Sequence, residues 1–299
     1  MNVTMMPPAS IDLDASMFQP VSFRVRDQLL ITGERGGPRD GMQVVLLSGL
    51  GRTRRSWSEV ARVLVTAGYG VTSLDLRGHG GSGWPRSGDY SLHAFADDLH
   101  AVLVQLHVKP VVVGASVGGW AALIAAAERP RGEIAGVALV DALPAMSADG
   151  YSSFDHFIAE CERGFDGIHE ACNKAANFFG AAVTLDAPED VRTSLRRGTD
   201  GRLYWHWDPE SIRRRAQVGR FDIGSQVLAA GRVAVPILLL TGASGDKVDL
   251  GSVDAFRAAA PHTQWVEVSA VTGNAPRPAM QLAALPLLRF MQQHWPVDR

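Results

Sequence analysis

The chain has 299 residues, 46% hydrophobic and 20% charged, with 29 Lys+Arg against 31 Asp+Glu and a formal net charge of −2. Charge so close to balance gives no electrostatic case for nucleic acid or an anionic membrane surface, and no apolar run reaches the length of about 18 residues that spanning a bilayer requires. Residues 1–20 carry Asp12 and Asp14 without the basic start and apolar block of a signal peptide. Cys161 and Cys172 lack metal-ligand spacing, so two thiols in a reducing cytoplasm are expected.

In chain order, Val21–Arg26 and Gln28–Gly33 read as a two-stranded ribbon, with Gly36-Gly37-Pro38 as connector. From residue 44, short aliphatic runs without polar alternation follow one another: Val44–Leu47, Gly70–Leu74, Pro110–Val113, Val137–Val140, Ile237–Leu240 and Trp265–Val268. Strands of this kind are buried on both faces, which implies a parallel sheet covered by helices. Between them, Trp57–Ala67 and Leu92–Leu106 carry apolar residues at helical spacing, with Ser91 as N-cap of the second. The arginine groups Arg52, Arg54, Arg55 and Arg213–Arg215 read as solvated faces. The βαβα order predicts an α/β fold with a doubly wound, mostly parallel sheet.

Alternation stops between Asp141 and Val235, an interval of about 85 to 90 residues that is too long for a simple connection. Phe154–Ile168, Gly167–Phe179 and Pro188–Arg196 read as helices there. The expected organisation is core over residues 1–142, a helical cap over 143–232, and core again over 233–299.

Gly114-Ala115-Ser116-Val117-Gly118-Gly119 follows the strand Val111–Val113 and opens an alanine-rich helix ending near Arg129-Pro130. A serine on so sharp a strand-to-helix turn needs a strained backbone, with glycines two residues either side to admit close neighbours. Its Oγ then stands at the C-terminal edge of the sheet. The backbone N–H of Val117 points toward it from the positive end of the helix, suited to stabilising an oxyanion. The position of this G-x-S-x-G, more than the pattern itself, makes Ser116 a candidate nucleophile.

Three stretches together, Leu47-Ser48-Gly49-Leu50-Gly51, Asp75-Leu76-Arg77-Gly78-His79-Gly80-Gly81-Ser82 and the Ser116 turn, resemble the α/β-hydrolase superfamily. More narrowly, with Gly201–Pro209 in the cap, they resemble its haloperoxidase-like and esterase-like branch. The resemblance implies Ser116 as nucleophile, Leu50 and Val117 as oxyanion-hole donors, and Asp246 in Thr241–Asp246 as the triad acid.

In two places the chain departs from the family. The family's base is a histidine after the last strand, where this chain reads Ser269-Ala270-Val271-Thr272-Gly273-Asn274-Ala275-Pro276. Gly273 and Asn274 occupy the position of that base, and neither can accept a proton from serine. His79 and His206 are candidate substitutes, with structural roles favoured for both; His262 precedes the last strand, at the far end of the sheet. A second departure is Ser48-Gly49 where the family has His-Gly.

Three readings stay open: an ester or lactone hydrolase or an impaired relative of one; a ligand-binding pseudoenzyme; and a lyase or cyclase using the oxyanion hole. The ligand expected is a small molecule with an apolar or aromatic group, from the aromatics Phe154, Phe157, Phe165, Phe178, Phe179, Tyr204, Trp205 and Trp207. No dinucleotide, phosphate-loop or metal motif implies a cofactor, and oligomeric state is not legible.

Overall fold

In the computed structural model the described residues are 17–128, 132–143, 157, 159–179, 191–192, 194–211, 213, 223–242, 250–268 and 277–297. Asp246, Gly273, Asn274 and Phe154 lie outside them. Strands β1 (Phe18–Arg24) and β2 (Leu30–Gly36) form the antiparallel ribbon. Then come β3 (Gln43–Leu47), α1 (Ser58–Thr66), β4 (Gly70–Leu74), α2 (Leu92–Leu106), β5 (Val111–Ala115), α3 (Val117–Glu128) and β6 (Gly136–Val140). A long insertion follows, holding α4 (Ile168–Phe179) and a small antiparallel ribbon of β7 (Leu195–Arg197) and β8 (Leu203–Trp205). The chain then returns through α5 (Ile223–Ala230), β9 (Ile237–Gly242), α6 (Leu250–Ala259), β10 (Thr263–Val268) and α7 (Arg277–His294).

Eight strands join in the order β1-β2-β4-β3-β5-β6-β9-β10. β1, β2 and β4 pair antiparallel, and every pair from β4 through β3 to β10 is parallel. The aliphatic strand residues divide between two layers with the period of two that a pleat dictates. Val45, Leu47, Val112, Leu139 and Leu239 join the cluster under α2, α3, α5 and α6. Val44, Leu46, Val113, Val140 and Leu240 join the opposite cluster, with Trp57 and Leu64 beside α1 and Leu287, Phe290 and Met291 of α7. Helices thus cover both faces, which is why the strands lack polar alternation. The Ser91 hydroxyl accepts the Ala94 N–H at 3.2 Å, as an N-cap does.

Two helical expectations need correction in the insertion. The reading of Phe154–Ile168 as one helix fails at Gly164, which takes φ +69, and Phe165 then pairs with Leu203. The reading of Pro188–Arg196 as helix fails at Leu195, where β7 begins. The Gly198-Thr199-Asp200-Gly201 turn, with Gly201 at φ +82, reverses the chain into β8. Phe157, Phe165, Cys161, Cys172, Trp205 and Trp207 form a third apolar cluster in this region. The helix that ends the insertion, α5, packs on α3 and α6 and adds Ala229 and Ala230 to the main core.

Candidate active site

The turn between β5 and α3 places Ser116 at φ +48, in the left-handed region. Its N–H donates to Val140 O at 3.1 Å and its carbonyl accepts from the Trp120 N–H at 3.1 Å, so both strand and helix hold the peptide. Crowding explains the glycines. A Cβ on Gly114 would stand 2.3 Å from Gly118 C, one on Gly118 2.7 Å from Leu47 O, and one on Gly119 2.7 Å from the Ala142 Cβ. Ser116 alone of this turn is half-buried, while its neighbours are buried. Val117 is the first residue of α3, and an N–H in that position has no carbonyl of its own helix to bond.

Across from the serine lies the turn Gly49–Arg52. A Cβ on Gly49 would sit 3.4 Å from the Ser116 Cβ, so this backbone lies against the serine side chain. Arg52 N–H donates to Gly49 O at 3.2 Å, and Gly51 has φ +73. A four-residue turn with a left-handed third position calls for glycine there. Ser48, buried where the family carries histidine, donates its hydroxyl to Thr53 O at 2.7 Å and so closes the same loop. Leu50 packs against both the main core and the cluster of the insertion.

A third loop, Asp75–Ser82, frames this turn. The fully buried Asp75 accepts from the Arg54 N–H at 2.7 Å and from the Gly81 N–H at 2.9 Å. Arg54 also bonds Asp75 through its guanidinium and reaches Glu34 at 2.9 Å through Nε, so it is no member of a solvated face. Arg77 lays its guanidinium on Asp98 of α2 in two bonds of 2.6 Å, with Nη1 donating to Asp89 O at 2.8 Å. Desolvation raises the Asp98 pKa, against the pull of Arg77.

His79 and His206 lie beside the Gly49–Arg52 turn, fully buried, with ring centroids 5.9 Å apart. His79 Nδ1–H donates to Arg77 O at 2.9 Å, leaving Nε2 to accept the Gly51 N–H at 2.9 Å. His206 Nδ1 accepts the Gly80 N–H at 2.8 Å, and its Nε2–H donates to Gly51 O at 3.3 Å. All four ring nitrogens are therefore committed to backbone, and neither ring has one left to take a proton from Ser116. Burial lowers both pKa values, that of His206 well below the ordinary histidine value. His262 bonds Val235 O at 3.1 Å ahead of β10, at the opposite sheet edge from Ser116.

The aromatics expected to line a ligand pocket divide in the structure. Phe157, Phe165, Trp205 and Trp207 are buried in the apolar cluster of the insertion, where Trp205 and Trp207 stack at 4.8 Å. Tyr204 donates its hydroxyl to Asp200 at 2.6 Å on an exposed face. Phe178 and Phe179 belong to α4. Trp205 Nε1 donates to the Cys161 sulfur at 3.1 Å, and burial pushes that thiol up to about 12, far from the thiolate that reactivity needs. Among the described residues no cluster of three His, Cys, Asp or Glu could hold a metal ion, and no helix is long and apolar enough to cross a membrane.

A left-handed serine on a strand-to-helix turn, at the C-terminal edge of a doubly wound sheet and opposite a glycine turn, defines the α/β-hydrolase class of fold. The chain matches the alpha/beta hydrolase fold family over residues 43–271 and belongs to it. It is 27% identical to an esterase of Mycobacterium tuberculosis over 83% of this chain and 81% of that one. It is 33% identical to a non-heme chloroperoxidase of Streptomyces lividans over 36% of this chain, and spans only 39% of that relative's length. The crystal structure of E-2-(acetamidomethylene)succinate hydrolase superposes with TM-score 0.75 at 18% identity, covering 93% of this chain and 98% of that one, a likeness of fold.

Proposed function

We propose that this chain is a serine hydrolase of carboxylic esters or lactones, with residues 143–232 serving as a cap over the site. The observation that carries the reading is the left-handed Ser116 held against the Gly49 turn. Ser116 Oγ attacks the carbonyl carbon, the carbonyl oxygen becomes an oxyanion bound by the N–H groups of Leu50 and Val117, and the alcohol leaves. Water then attacks the acyl-serine and returns the acid. Asp246 supplies the acid of the triad. With Gly273 and Asn274 in the family's base position and the rings of His79 and His206 both engaged, the Ser116 proton passes to solvent and the leaving alkoxide takes its proton from solvent. The expected rate is accordingly low: loss of the imidazole from such a triad costs on the order of a millionfold, leaving about 10³–10⁴ over water.

The test is fluorophosphonate labelling with p-nitrophenyl ester turnover, in wild type and in Ser116→Ala. The reading requires labelling and slow turnover that Ser116→Ala abolishes, with a rate climbing with pH and lacking an inflection near the histidine pKa of about 6.5. Gly273→His, or Asn274→His, is expected to raise turnover and introduce that inflection. Wild-type labelling no higher than that of Ser116→Ala removes the hydrolase reading. A small ligand that raises the melting temperature unconsumed then favours the binding-protein alternative, for which the missing imidazole is the supporting observation.

A further inference from the structure

We infer that His79 and His206 are positioning residues that grip the oxyanion turn from two sides, His79 from the core and His206 from the insertion. The inference rests on the hydrolase reading above, because it assigns the turn its work.

Gly51 is the centre of the grip. Its N–H and its carbonyl belong to two successive peptide planes, and each is bonded to a different imidazole, at 2.9 and 3.3 Å. In a four-residue turn the central peptide can rotate over, exchanging one turn type for another with little displacement of the ends. An acceptor fixed on the Gly51 N–H favours one of those orientations, and a donor fixed on the Gly51 carbonyl holds the next peptide. The N–H of Leu50, one residue earlier, is held with them. Trp207 packs its ring against Gly51, 3.6 Å from where an added Cβ would stand.

The anchors are themselves anchored. Arg77 O accepts the His79 Nδ1–H and the Gly80 N–H donates to His206 Nδ1, so both rings end on the loop that Asp75 and Asp98 fasten. From the insertion side, the Asp208 N–H donates to Gly78 O at 2.8 Å, and Tyr90 bonds the Asp208 carboxylate at 2.6 Å. Docking of the His206 segment and the shape of the oxyanion turn are therefore one event.

Filling space does not require this chemistry. Two fully buried polar rings are costly where leucine or phenylalanine would pack. The bonds also demand opposite tautomers: His79 protonated at Nδ1, His206 at Nε2. Burial and the nearby Arg196 guanidinium keep both rings uncharged, with Arg52 acting the same way on His206 and with Asp75 and Asp208 opposing at His79.

The tautomers can be read directly by long-range ¹H–¹⁵N NMR on ¹⁵N-histidine-labelled protein at neutral pH, assigned with single substitutions. His79 is expected as the Nδ1–H form and His206 as the Nε2–H form. His79→Met removes the acceptor for Gly51, whereas His79→Gln can restore one through its amide oxygen. Hydrogen exchange at the Gly51 amide should accelerate in the methionine variant and slow again in the glutamine variant. On a p-nitrophenyl ester, kcat should fall about tenfold or more in His79→Met with KM changed less than about twofold, and recover substantially in His79→Gln.

His206→Gln, which keeps a donor toward Gly51 O, gives a second comparison with His206→Met should one methionine variant fail to fold. The opposite tautomer at either ring overturns the inference, as does unaltered Gly51 exchange in His79→Met, or a glutamine variant as impaired in kcat as methionine. A wild type that neither labels nor turns over ester defeats the hydrolase reading separately. Tautomers and Gly51 exchange still decide the grip in that case.

Discussion

A left-handed backbone costs a residue with a Cβ about 1–2 kcal/mol, and Ser116 carries that cost at φ +48. The same conformation is nearly free for glycine. Ser116→Ala removes the hydroxyl and keeps the strain, whereas Ser116→Gly removes both. Urea unfolding of the two variants should therefore find Ser116→Gly the more stable by about 1 kcal/mol, even though glycine is the more flexible residue in the unfolded chain. Equal stabilities would mean that the turn relaxes out of the left-handed region in solution. This strain was legible in the sequence, because Gly114, Gly118 and Gly119 flank the serine at the point where strand gives way to helix and only glycine fits. Structural roles for His79 and His206 were expected, but the backbone groups they bond were not legible. His206 reaches Gly80 across 126 residues and Gly51 across 155, and no local pattern records which backbone groups a buried imidazole will meet.

At the scale of elements, one ion pair ties the loop bearing His79 to α2. Arg77 and Asp98 have side chains only 7% and 8% exposed, so neither charge has water to fall back on. Asp98→Ala strands a buried guanidinium and is expected to cost about 3–5 kcal/mol. Replacing both partners by apolar residues of similar volume, as in Arg77→Met with Asp98→Leu, should recover most of that loss. Chemical denaturation of the single and double variants measures both; a double variant no better than Asp98→Ala would place the value of the pair in Arg77's contact with Asp89 O instead. The strands were readable because burial on both faces leaves an unmistakable aliphatic run, as in Val111–Val113. The β7–β8 ribbon was not, since three-residue strands are too short for any period to show. Its one local cue was the Gly198–Gly201 turn.

For the whole molecule, the two buried histidines tie stability to pH. Each has a folded pKa below its unfolded value of about 6.5, so below that pH the unfolded chain binds protons that the folded one refuses. Stability is then full above about pH 6.5 and falls as the pH drops toward the folded pKa values. Each histidine contributes a slope of at most about 1.4 kcal/mol per pH unit, approached only where the unfolded imidazole is fully protonated and the folded one still neutral. After burial, the groups facing them set how far the window extends: a charge on His79 disfavours one on His206, Arg196 disfavours both, Arg52 disfavours His206, and Asp75 and Asp208 favour protonation of His79. His93 and His100, near the surface beside Glu128 and Glu133, are outside this network. Unfolding free energies measured by urea at about pH 7.5, 6.5 and 5.5 should drop steeply only between the last two. In His79→Gln/His206→Gln the slope should flatten, because glutamine does not titrate. A wild-type slope unchanged by the double substitution would mean that other groups carry the acid sensitivity. A flattened one would tie the acid limit of the fold to the contacts that bind the insertion to the Gly49–Arg52 turn.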